Sequence, residues 1–276
     1  MHAAKLGDTV RRIAREGDPD RAIAALFAPR ESRADLLALI AFNVELARIA
    51  EQVSEPDLGA IRLQWWREAV ERAGDGEPTG QPVADALGEA LRRRKLSRQR
   101  IDAMIDARAF DLGTGIMSDK AALETYLRDT AGSLFALSAE CLGASRSSIE
   151  PAAAQAGLAY GLTGLMRALP VHAARRRVDL PADALRARGT SPEEILAGKT
   201  SQGLHEVLAE LRKDARVALG EASGLAAKLD PPAQAAFLPL CLVEPYLAAL
   251  AKGRDPLHER AGINPLYRLW RMATWD

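Results

Sequence analysis

The chain has 276 residues, of which 48% are hydrophobic and 27% are charged, the profile of a globular protein. Lysine and arginine together number 37, as do aspartate and glutamate, so the total charge indicates neither a nucleic-acid partner nor a strongly acidic one. The two cysteines, Cys141 and Cys241, are too few and too far apart for a zinc site or a disulfide framework, which favours a reducing compartment.

The N-terminal stretch MHAAKLGDTVRRIAREGDPD contains no apolar core like that of a secretory signal, and its four acidic residues argue against a transit peptide. The longest uncharged run, 151–166, is shorter than the roughly 20 residues that a membrane span needs. We therefore expect a cytoplasmic protein. Peripheral contact with the inner face of the membrane is a further expectation.

Helical periodicity dominates the chain, and no alternating β pattern appears. Asp18 is suited to cap a helix that has Pro19 at its first position and ends or bends at Pro29. The pattern then predicts helices over 31–53, 58–73, 82–95, 98–116, 119–143 and 149–170. Residues 171–200 are predicted to form a loop with short helices, and the last helices are predicted over 201–227, 232–251 and 263–273. The sequence thus predicts one all-α domain.

Two adjacent tryptophans, Trp65 and Trp66, point about 100° apart on the helix of IRLQWWREAVERA, so at most one is central to a core. Arg62 and Gln64 are polar residues among these bulky side chains. Two packing faces with solvated i,i+4 ion pairs explain the segment. A polar contribution of Arg62 and Gln64 to a site is the alternative.

The densest combination of arginine and histidine follows the glycine-bearing helix of AGLAYGLTGLMRALPVHAARRRVDLP. Its members are Arg167, His172, Arg175, Arg176 and Arg177. Arginine forks suit phosphate or carboxylate groups. A solvated basic helix end, matched to the helix dipole, explains the same residues. The glycines 157, 161 and 164 allow another helix to approach closely, and they are not a dinucleotide fingerprint because no strand precedes them.

Asp102 and Asp106 are spaced i,i+4 on a predicted helix, a spacing that suits a divalent cation, although a solvated helix face is the simpler explanation. No GxSxG, P-loop or HExxH motif occurs in the chain. General motifs therefore assign no catalytic chemistry.

Four stretches, in order and correctly spaced, resemble the squalene/phytoene synthase family: LFAPRESRADLLALIAFN, RLQWWREAV, YLRDTAGSLFALSAECLG and GLTGLMRA…RRRVDLP. The resemblance covers roughly residues 18–272, so one domain of this kind is expected to occupy 1–276. It implies an all-α isoprenoid-synthase fold, a helical bundle with a central cavity. Active members resemble one another in two aspartate-rich helices, whose facing carboxylates hold Mg²⁺. The Mg²⁺ neutralises the substrate diphosphate and assists its departure.

This sequence departs from the family at both aspartate motifs. The first would fall on ARIAE, where Ala47 and Arg48 replace the leading acidic pair and Glu51 keeps a carboxylate. The second would fall on ALPVH, where Ala168 and His172 replace the two aspartates. Arg48 would repel Mg²⁺, so we expect no catalytic residues, no metal site and no cofactor.

The departures resemble a narrower branch of the family, on the stretches AFNVELA, VSEP, the R-x-QxW core, RAxPxH and RRxVxLP. That branch includes the mitochondrial assembly factor for respiratory complex I (NADH:ubiquinone oxidoreductase) and looks like squalene/phytoene synthases without the aspartate motifs. The resemblance implies a pseudoenzyme whose partners are complex I subunits or other assembly factors. Nucleic acid is not an expected partner.

The charged residues of AFNVELARIAEQVSEP are then expected to line a metal-free polar pocket. Arg48 is spaced i,i+3 from both Glu45 and Glu51, and pairing would offset the cost of burying charge. The complete set of pocket-lining candidates is Glu45, Arg48, Glu51, Arg62, Gln64, Arg167, His172, Arg175 and Arg177. A pocket with a ligand and a vestigial pocket closed by salt bridges both fit these residues.

Three functions remain open from the sequence. The first is a non-catalytic assembly or scaffold protein for complex I, with or without a bound isoprenoid or lipid, whose amphipathic residues 264–276 contact a membrane surface. The second is a prenyl-diphosphate transferase acting on farnesyl or geranylgeranyl diphosphate, which would need Mg²⁺ and unorthodox ligands such as Glu51, Asp102 and Asp106. The third is a small-molecule-binding enzyme that does not depend on Mg²⁺ and uses the cluster of arginine and histidine residues.

Overall fold

The structure is a computed structural model that describes residues 2–113, 115–252 and 255–275, with side chains from residue 7 onwards. α-Helices make up nearly all of its regular structure. In the first half of the chain they are α1 (His2–Gly17), α2 (Pro19–Ala24), α3 (Arg33–Gln52), α4 (Pro56–Gly74), α5 (Pro82–Arg94), α6 (Arg98–Ala107), α7 (Lys120–Leu127) and α8 (Ser133–Cys141).

The second half contains the longest helix, α9, which spans Arg146–Ala174. It is followed by six more helices: α10 (Ala182–Ala187), α11 (Pro192–Leu196), α12 (Gln202–Ala226), α13 (Pro231–Gln234), α14 (Val243–Leu250) and α15 (Pro265–Ala273). Short 3-10 segments at 25–27, 30–32, 108–112 and 235–242, and a π-helical segment at 128–132, join or interrupt the helices.

Most of the predicted helices are found, and their ends follow local chemistry. The helix predicted over 232–251 is instead divided into α13, a 3-10 segment and α14, and α1 was not predicted. Pro19 begins α2 and the Asp18 side chain caps it, accepting from the backbone N–H of Arg21. The helix predicted over 98–116 instead ends at Ala107 and continues as a 3-10 segment. The helix predicted over 119–143 is divided by the π-helical segment, where Gly132 lies against Gly157 of α9. A Cβ atom at Gly157 would lie 2.5 Å from the Gly132 Cα, so close helix packing accounts for this glycine.

Two short strands were not predicted from the sequence. β1 (Ile116–Met117) and β2 (Val178–Pro181) pair in parallel, with Ile116 opposite Val178. Two residues are too few to show an alternating pattern. The pairing holds the chain after α9 against the segment after α6, and it thereby brings Arg177 close to Gly115.

Two large hydrophobic clusters form the core. One lies around α9 and α12 and includes Phe135, Leu162 and Phe237. The other lies around α3, α4 and α5 and includes Phe42 and Trp66. Trp66 is buried whereas Trp65 is exposed, as the angle between adjacent helical residues requires.

One segment of the described chain, Pro231–Leu250, is long and apolar enough to cross a membrane by length and composition. Of its most apolar 18-residue window, 61% is buried inside the molecule. Phe237 and Leu247 belong to the core around α9 and α12, and Tyr246 is fully buried. Core segments of globular proteins meet the same length and composition criteria, and in this fold the segment packs as one of them.

Gly88 of α5 provides a test of the helix packing around α3. A Cβ atom there would lie 2.4 Å from the carbonyl oxygen of Ala73, at the crossing of α4 and α5. We expect Gly88→Ala to lower the free energy of unfolding by about 1–3 kcal/mol, because the helices must move apart. Gly220→Ala on the exposed side of α12, where nothing lies within 4 Å, should instead add about 0.5–1 kcal/mol. Urea unfolding of both variants measures the contrast, and equal effects would contradict it.

Candidate functional site

A buried carboxylate, Asp20, joins four helices in the interior. Asp20 lies in the first turn of α2, and its side chain is 5% exposed. The hydroxyl of Tyr246 on α14 donates to Asp20 Oδ2 at 2.7 Å, and Nη1 of Arg268 on α15 donates to Oδ1 at 2.8 Å. Nη1 of Arg167 on α9 lies 3.8 Å from Oδ2. Asp20, Arg167, Tyr246 and Arg268 are called the Asp20 cluster below.

Aromatic rings complete the surroundings of this cluster. The Arg167 guanidinium lies 3.5 Å from the centroid of the Tyr246 ring, a close cation–π contact. Burial raises the pKa of the Tyr246 phenol far above its ordinary value, so its hydroxyl stays a hydrogen-bond donor. The cluster therefore holds one carboxylate between two cations and a neutral phenol.

Arg21 extends this polar interior on the other side of α2. Its Nη1 donates to Asp18 Oδ2 at 2.9 Å, and its guanidinium lies 4.1 Å from the Tyr160 ring centroid. Burial alone would lower the pKa of Arg21, but Asp18, Tyr160 and Asp20 together outweigh burial and raise that pKa. Arg21 therefore stays charged, and three arginines meet two carboxylates in this region.

A second buried group, here called the Asp111–Asp179 cluster, lies between α3 and α9. Arg177 Nη2 donates to Asp111 Oδ1 at 2.9 Å and to Asp179 Oδ1 at 3.1 Å, so that one guanidinium bridges both carboxylates. His172 Nδ1 lies 2.6 Å from Asp179 Oδ2. Gly115 permits this approach, because its φ of +64° suits glycine and a Cβ atom there would lie 2.8 Å from the Arg177 side chain.

Arg108 joins the same cluster to α3. Its Nη1 lies 3.1 Å from Asp111 Oδ2 and 2.9 Å from the Tyr126 hydroxyl, and its Nη2 donates to Asn43 Oδ1 at 3.1 Å. The Tyr126 hydroxyl in turn donates to Asp111 Oδ1 at 2.9 Å. Asn43 lies one turn before Ala47, the start of the first replaced aspartate motif. The cluster therefore spans the two helices on which that family pattern would place carboxylates.

The charge balance of the Asp111–Asp179 cluster favours ionised carboxylates. Burial would raise the pKa of Asp179, but the hydrogen bond from His172 and the charge of Arg177 hold it below its ordinary value. The neighbouring carboxylates in turn raise the pKa of Arg177 against the effect of burial. The cluster is thus a set of neutralised ion pairs in the protein interior.

The charged stretch AFNVELARIAEQVSEP, most of which lies on α3, is arranged differently from the sequence prediction. Glu51 pairs with Arg175, which follows α9, so this ion pair joins two helices and lies partly exposed. Glu45 and Arg48 are half-buried, and no ion pair or side-chain hydrogen bond joins either of them to another described residue. The expected pairing of Arg48 with its neighbours on α3 is not formed, because Glu51 has its partner on the other helix.

Two other candidates face outward. Arg62 is exposed and donates to Gln52 Oε1 at 2.9 Å, while exposed Gln64 donates to Glu68 Oε1 at 2.9 Å. Their side chains lie outside the interior network expected for them. The helical positions that flank buried Leu63 necessarily point away from the core, since successive residues turn by about 100°.

Asp102 and Asp106 both pair with one cation, Arg67 of α4. Arg67 Nη1 lies 3.3 Å from Asp102 Oδ1, and its Nη2 contacts Asp106. The two aspartates are exposed or half-buried and face away from both buried clusters. Their i,i+4 spacing therefore serves an ion pair between α4 and α6, and Arg67 occupies the position that a divalent cation would need.

The interior polar groups do not fit Mg²⁺. Within residues 2–113, 115–252 and 255–275, no three His, Cys, Asp or Glu side chains lie together in a way that could hold a metal ion. Asp20, Asp111 and Asp179 each contact at least one arginine, whose positive charge repels a second cation. Several buried arginine N–H groups have no hydrogen-bond partner among the described residues, namely Arg21 Nη2 and the Nε of Arg108, Arg167, Arg177, Arg268 and Arg271. The arrangement suits an anion better than a metal.

Sequence reasoning missed the residues that organise this interior. In the sequence Asp20 is one of four acidic residues near the N-terminus, and Asp111, Tyr126 and Tyr246 belong to none of the predicted sites. Asp179 lies within RRRVDLP, a stretch whose arginines alone were predicted to contribute to a site. The available signal in the sequence was Asp179, two residues after Arg177. Its burial follows from the β1–β2 pairing, which the sequence did not predict.

Comparisons with known proteins agree with this architecture. Residues 14–267 match the squalene/phytoene synthase family. The chain is 34% identical over 235 residues to "NADH dehydrogenase (ubiquinone) complex I, assembly factor 6" of Bos taurus, which covers 85% of this chain and 71% of that protein. It is 27% identical over 252 residues to the phytoene synthase of Thermus thermophilus, covering 91% and 84% of the two chains.

A solved dehydrosqualene synthase, crystallised with a ligand, has the same fold. It superposes with a TM-score of 0.84 at 17% identity and covers 98% of this chain and 95% of that one. The prediction of an all-α isoprenoid-synthase fold is confirmed, as is the resemblance to relatives named as complex I assembly factors. The chain belongs to the squalene/phytoene synthase family.

Proposed function

We propose that this protein is a non-catalytic assembly or scaffold factor for respiratory complex I, acting as a cytoplasmic protein at the inner face of the membrane. The observation that carries the proposal is the ion pairing of the interior carboxylates. Asp20, Asp111 and Asp179 are each bound by arginine side chains. In this arrangement a diphosphate cannot be presented with Mg²⁺ without breaking buried ion pairs, which costs several kcal/mol.

The two replaced motifs support the same proposal. Ala47 and Ala168 offer no ligand atoms, and Arg48 adds a positive charge to α3. His172, at the end of the second motif, contacts Asp179. Metal-assisted departure of diphosphate needs carboxylates that are free to bind the ion. Here the available carboxylates stabilise the fold instead.

Relatives named as assembly factors support the choice of partner. Proteins of Bos taurus, Homo sapiens and Drosophila melanogaster that match most of this chain carry that name. We propose complex I subunits or other assembly factors as the partners of this protein. The exposed face of α15, with Leu266 and Trp270, is proposed as its peripheral contact with the membrane.

A prenyl-diphosphate transferase is the second candidate, favoured by the buried arginines. Arg21, Arg167 and Arg268 exceed Asp18 and Asp20 by one charge, which suits an anionic head group. That excess would accommodate an isoprenoid diphosphate as a bound ligand. Turnover would further require a metal site that the carboxylates around it do not form.

Two measurements on the same protein test these functions. We expect purified protein with Mg²⁺ and farnesyl or geranylgeranyl diphosphate to release no pyrophosphate, while an active family member does. We expect deletion of the gene in its own organism to reduce assembled complex I severalfold, measured by native gel and NADH:quinone activity. Mg²⁺-dependent release would overturn the pseudoenzyme, and unchanged complex I would overturn the assembly role.

A further inference from the structure

A groove between α1, α2 and α3 lies on the outside of the fold, apart from both buried clusters. Its volume is about 680 Å³. Its floor is apolar and includes Ala22, Ile23, Leu26 and Leu37. Four arginines stand around that floor, namely Arg11, Arg15, Arg30 and Arg33. We call it the arginine groove.

The arginine groove keeps an excess of positive charge. Among the described residues, neither Arg15 nor Arg30 has an ion-pair partner, and Arg33 Nε donates to the backbone oxygen of Ala28 at 2.9 Å. Arg11 pairs at 3.1 Å with Asp8, and both side chains are mostly exposed. The other acidic residues nearby are each paired or exposed: Asp18 pairs with Arg21, Asp20 with Arg268, Glu16 with Arg12 and buried Asp35 with Arg93 and Arg94, while Glu31 is exposed.

Exposed apolar side chains adjoin the groove on one side. Leu26, 56% exposed, and Phe27 stand on the 3-10 turn that follows α2. Ile23 of the groove floor packs against the small core cluster that contains Met272, the buried residue of α15. The outer side of α15 presents Leu266 and Trp270, which are 75% and 56% exposed. The groove and α15 therefore adjoin the same small core cluster, and together with the turn they supply the face of the proposal.

The chemistry of this face identifies its occupant. An apolar floor surrounded by arginines fits a molecule that combines an anionic group with hydrocarbon chains. The planar arginine fork matches phosphate oxygens, and tryptophan and tyrosine prefer the boundary between head groups and acyl chains. Trp270 and Tyr267 are exposed on α15, the helix whose Met272 belongs to the cluster against which Ile23 of the groove packs. An anionic phospholipid within a membrane supplies both groups at the required places.

We propose that the arginine groove binds the phosphate head group of an anionic phospholipid while α15 and the Leu26–Phe27 turn enter the membrane surface. This inference rests on the peripheral membrane contact of the proposed function, and it adds a lipid class and a binding site. Selectivity for anionic lipid comes from the groove, and depth of insertion comes from α15. The two contributions are therefore separable by mutation.

The test is flotation of the full chain with two kinds of vesicle, phosphatidylcholine alone and phosphatidylcholine with phosphatidylglycerol. An arginine near an anionic surface contributes about fivefold in binding, so Arg15→Gln with Arg30→Gln should weaken binding to the anionic vesicles roughly 30-fold. The matched control removes two exposed positive charges elsewhere, by Arg186→Gln with Lys199→Gln, and should keep most of the binding. Circular dichroism and thermal unfolding verify that all variants fold.

Three outcomes decide the proposal. Loss of anionic-vesicle binding in the groove variant alone, weakened further by added salt, supports it. Equal binding of the groove variant and the wild type would contradict the groove as the lipid-binding site. A wild type that binds neither vesicle would contradict a lipid as the occupant and leave an acidic protein segment in its place. Leu266→Ser with Trp270→Ser tests the membrane contact itself, and complex I levels in the deletion strain report on the assembly role independently of vesicle binding.

Discussion

Replacing Asp20 with asparagine is expected to lower the free energy of unfolding by about 3–5 kcal/mol, the cost of breaking a buried ion pair from one side. The substitution keeps the volume of the side chain and removes its charge. Arg268 then loses the carboxylate at 2.8 Å, and the Tyr246 hydroxyl loses an ionised acceptor at 2.7 Å. The guanidinium of Arg167 would remain inside the protein without a counter-charge.

Urea unfolding at neutral pH measures this effect, with Asp8→Asn as the matched control. Asp8 pairs with Arg11 on the surface, where both side chains are more than half exposed. Exposed pairs contribute about 0–1 kcal/mol, so the control should unfold almost like the wild type. If Asp20→Asn also costs less than about 1 kcal/mol, water must reach the Asp20 cluster and the account of a dry ion-paired interior fails.

The fold was predictable because the starts and the apolar faces of helices are encoded in the local sequence. Prolines at 19, 56 and 82 stand at or next to helix starts, and α3 and α4 follow the apolar periodicity that predicted them. The early end of α6 at Ala107 was not predictable in the same way. The residues after it form a 3-10 segment because Arg108 and Asp111 turn into the buried cluster, a tertiary cause that the local pattern does not contain.

The sequence predicted several residues of the candidate site, but it did not predict which partners they contact. Arg167, His172 and Arg177 were identified from their density in the sequence, and all three contact buried aspartates. Two of their partners, Asp20 of α2 and Asp111 of the 3-10 segment after α6, lie far away along the chain, and the third, Asp179 of β2, lies close by. The spacing on α3 predicted that Arg48 pairs with Glu51, whereas Glu51 pairs with Arg175, which follows α9. Helical spacing identifies available partners but does not choose among them.

The two buried clusters show how this chain neutralises the charged residues in its interior. A bundle with charged residues inside must neutralise them, and Mg²⁺ with a diphosphate is one solution. Arginine side chains supplied by the chain itself are another, and Arg177 and Arg268 take that role here. In the second solution, Asp20, Asp111 and Asp179 each contact an arginine side chain.

Arg177→Met provides the second large test, because it leaves Asp111 and Asp179 without the guanidinium that bridges them. We expect a loss of about 3–5 kcal/mol at pH 7. Arg108 and Tyr126 remain beside Asp111, and His172 remains beside Asp179, so the two carboxylates keep part of their hydrogen bonding. The methionine fills much of the space of the arginine stem, which limits any cavity effect.

The pH dependence of this variant separates charge from packing. In the wild type the pKa of Asp179 is depressed, so its contribution to stability is present above the unfolded value of about 3.9 and is lost as pH falls through the folded pKa. Without Arg177 one of the causes that lower the pKa of Asp179 is lost while burial remains, so this pKa rises from its depressed value and the carboxyl takes up a proton at a higher pH than in the wild type. The difference in stability between variant and wild type should therefore shrink as the pH is lowered from 7 towards 4.

Urea unfolding between pH 4 and pH 7 measures that difference, with Arg128→Met as the control. Arg128 pairs with Asp129 at the surface, and its loss should cost less than about 1 kcal/mol at any of these pH values. A deficit for Arg177→Met that stays constant over the range would assign its cost to packing. A deficit that shrinks with falling pH assigns it to charge, and it identifies Arg177 as a cation that keeps the buried Asp179 ionised.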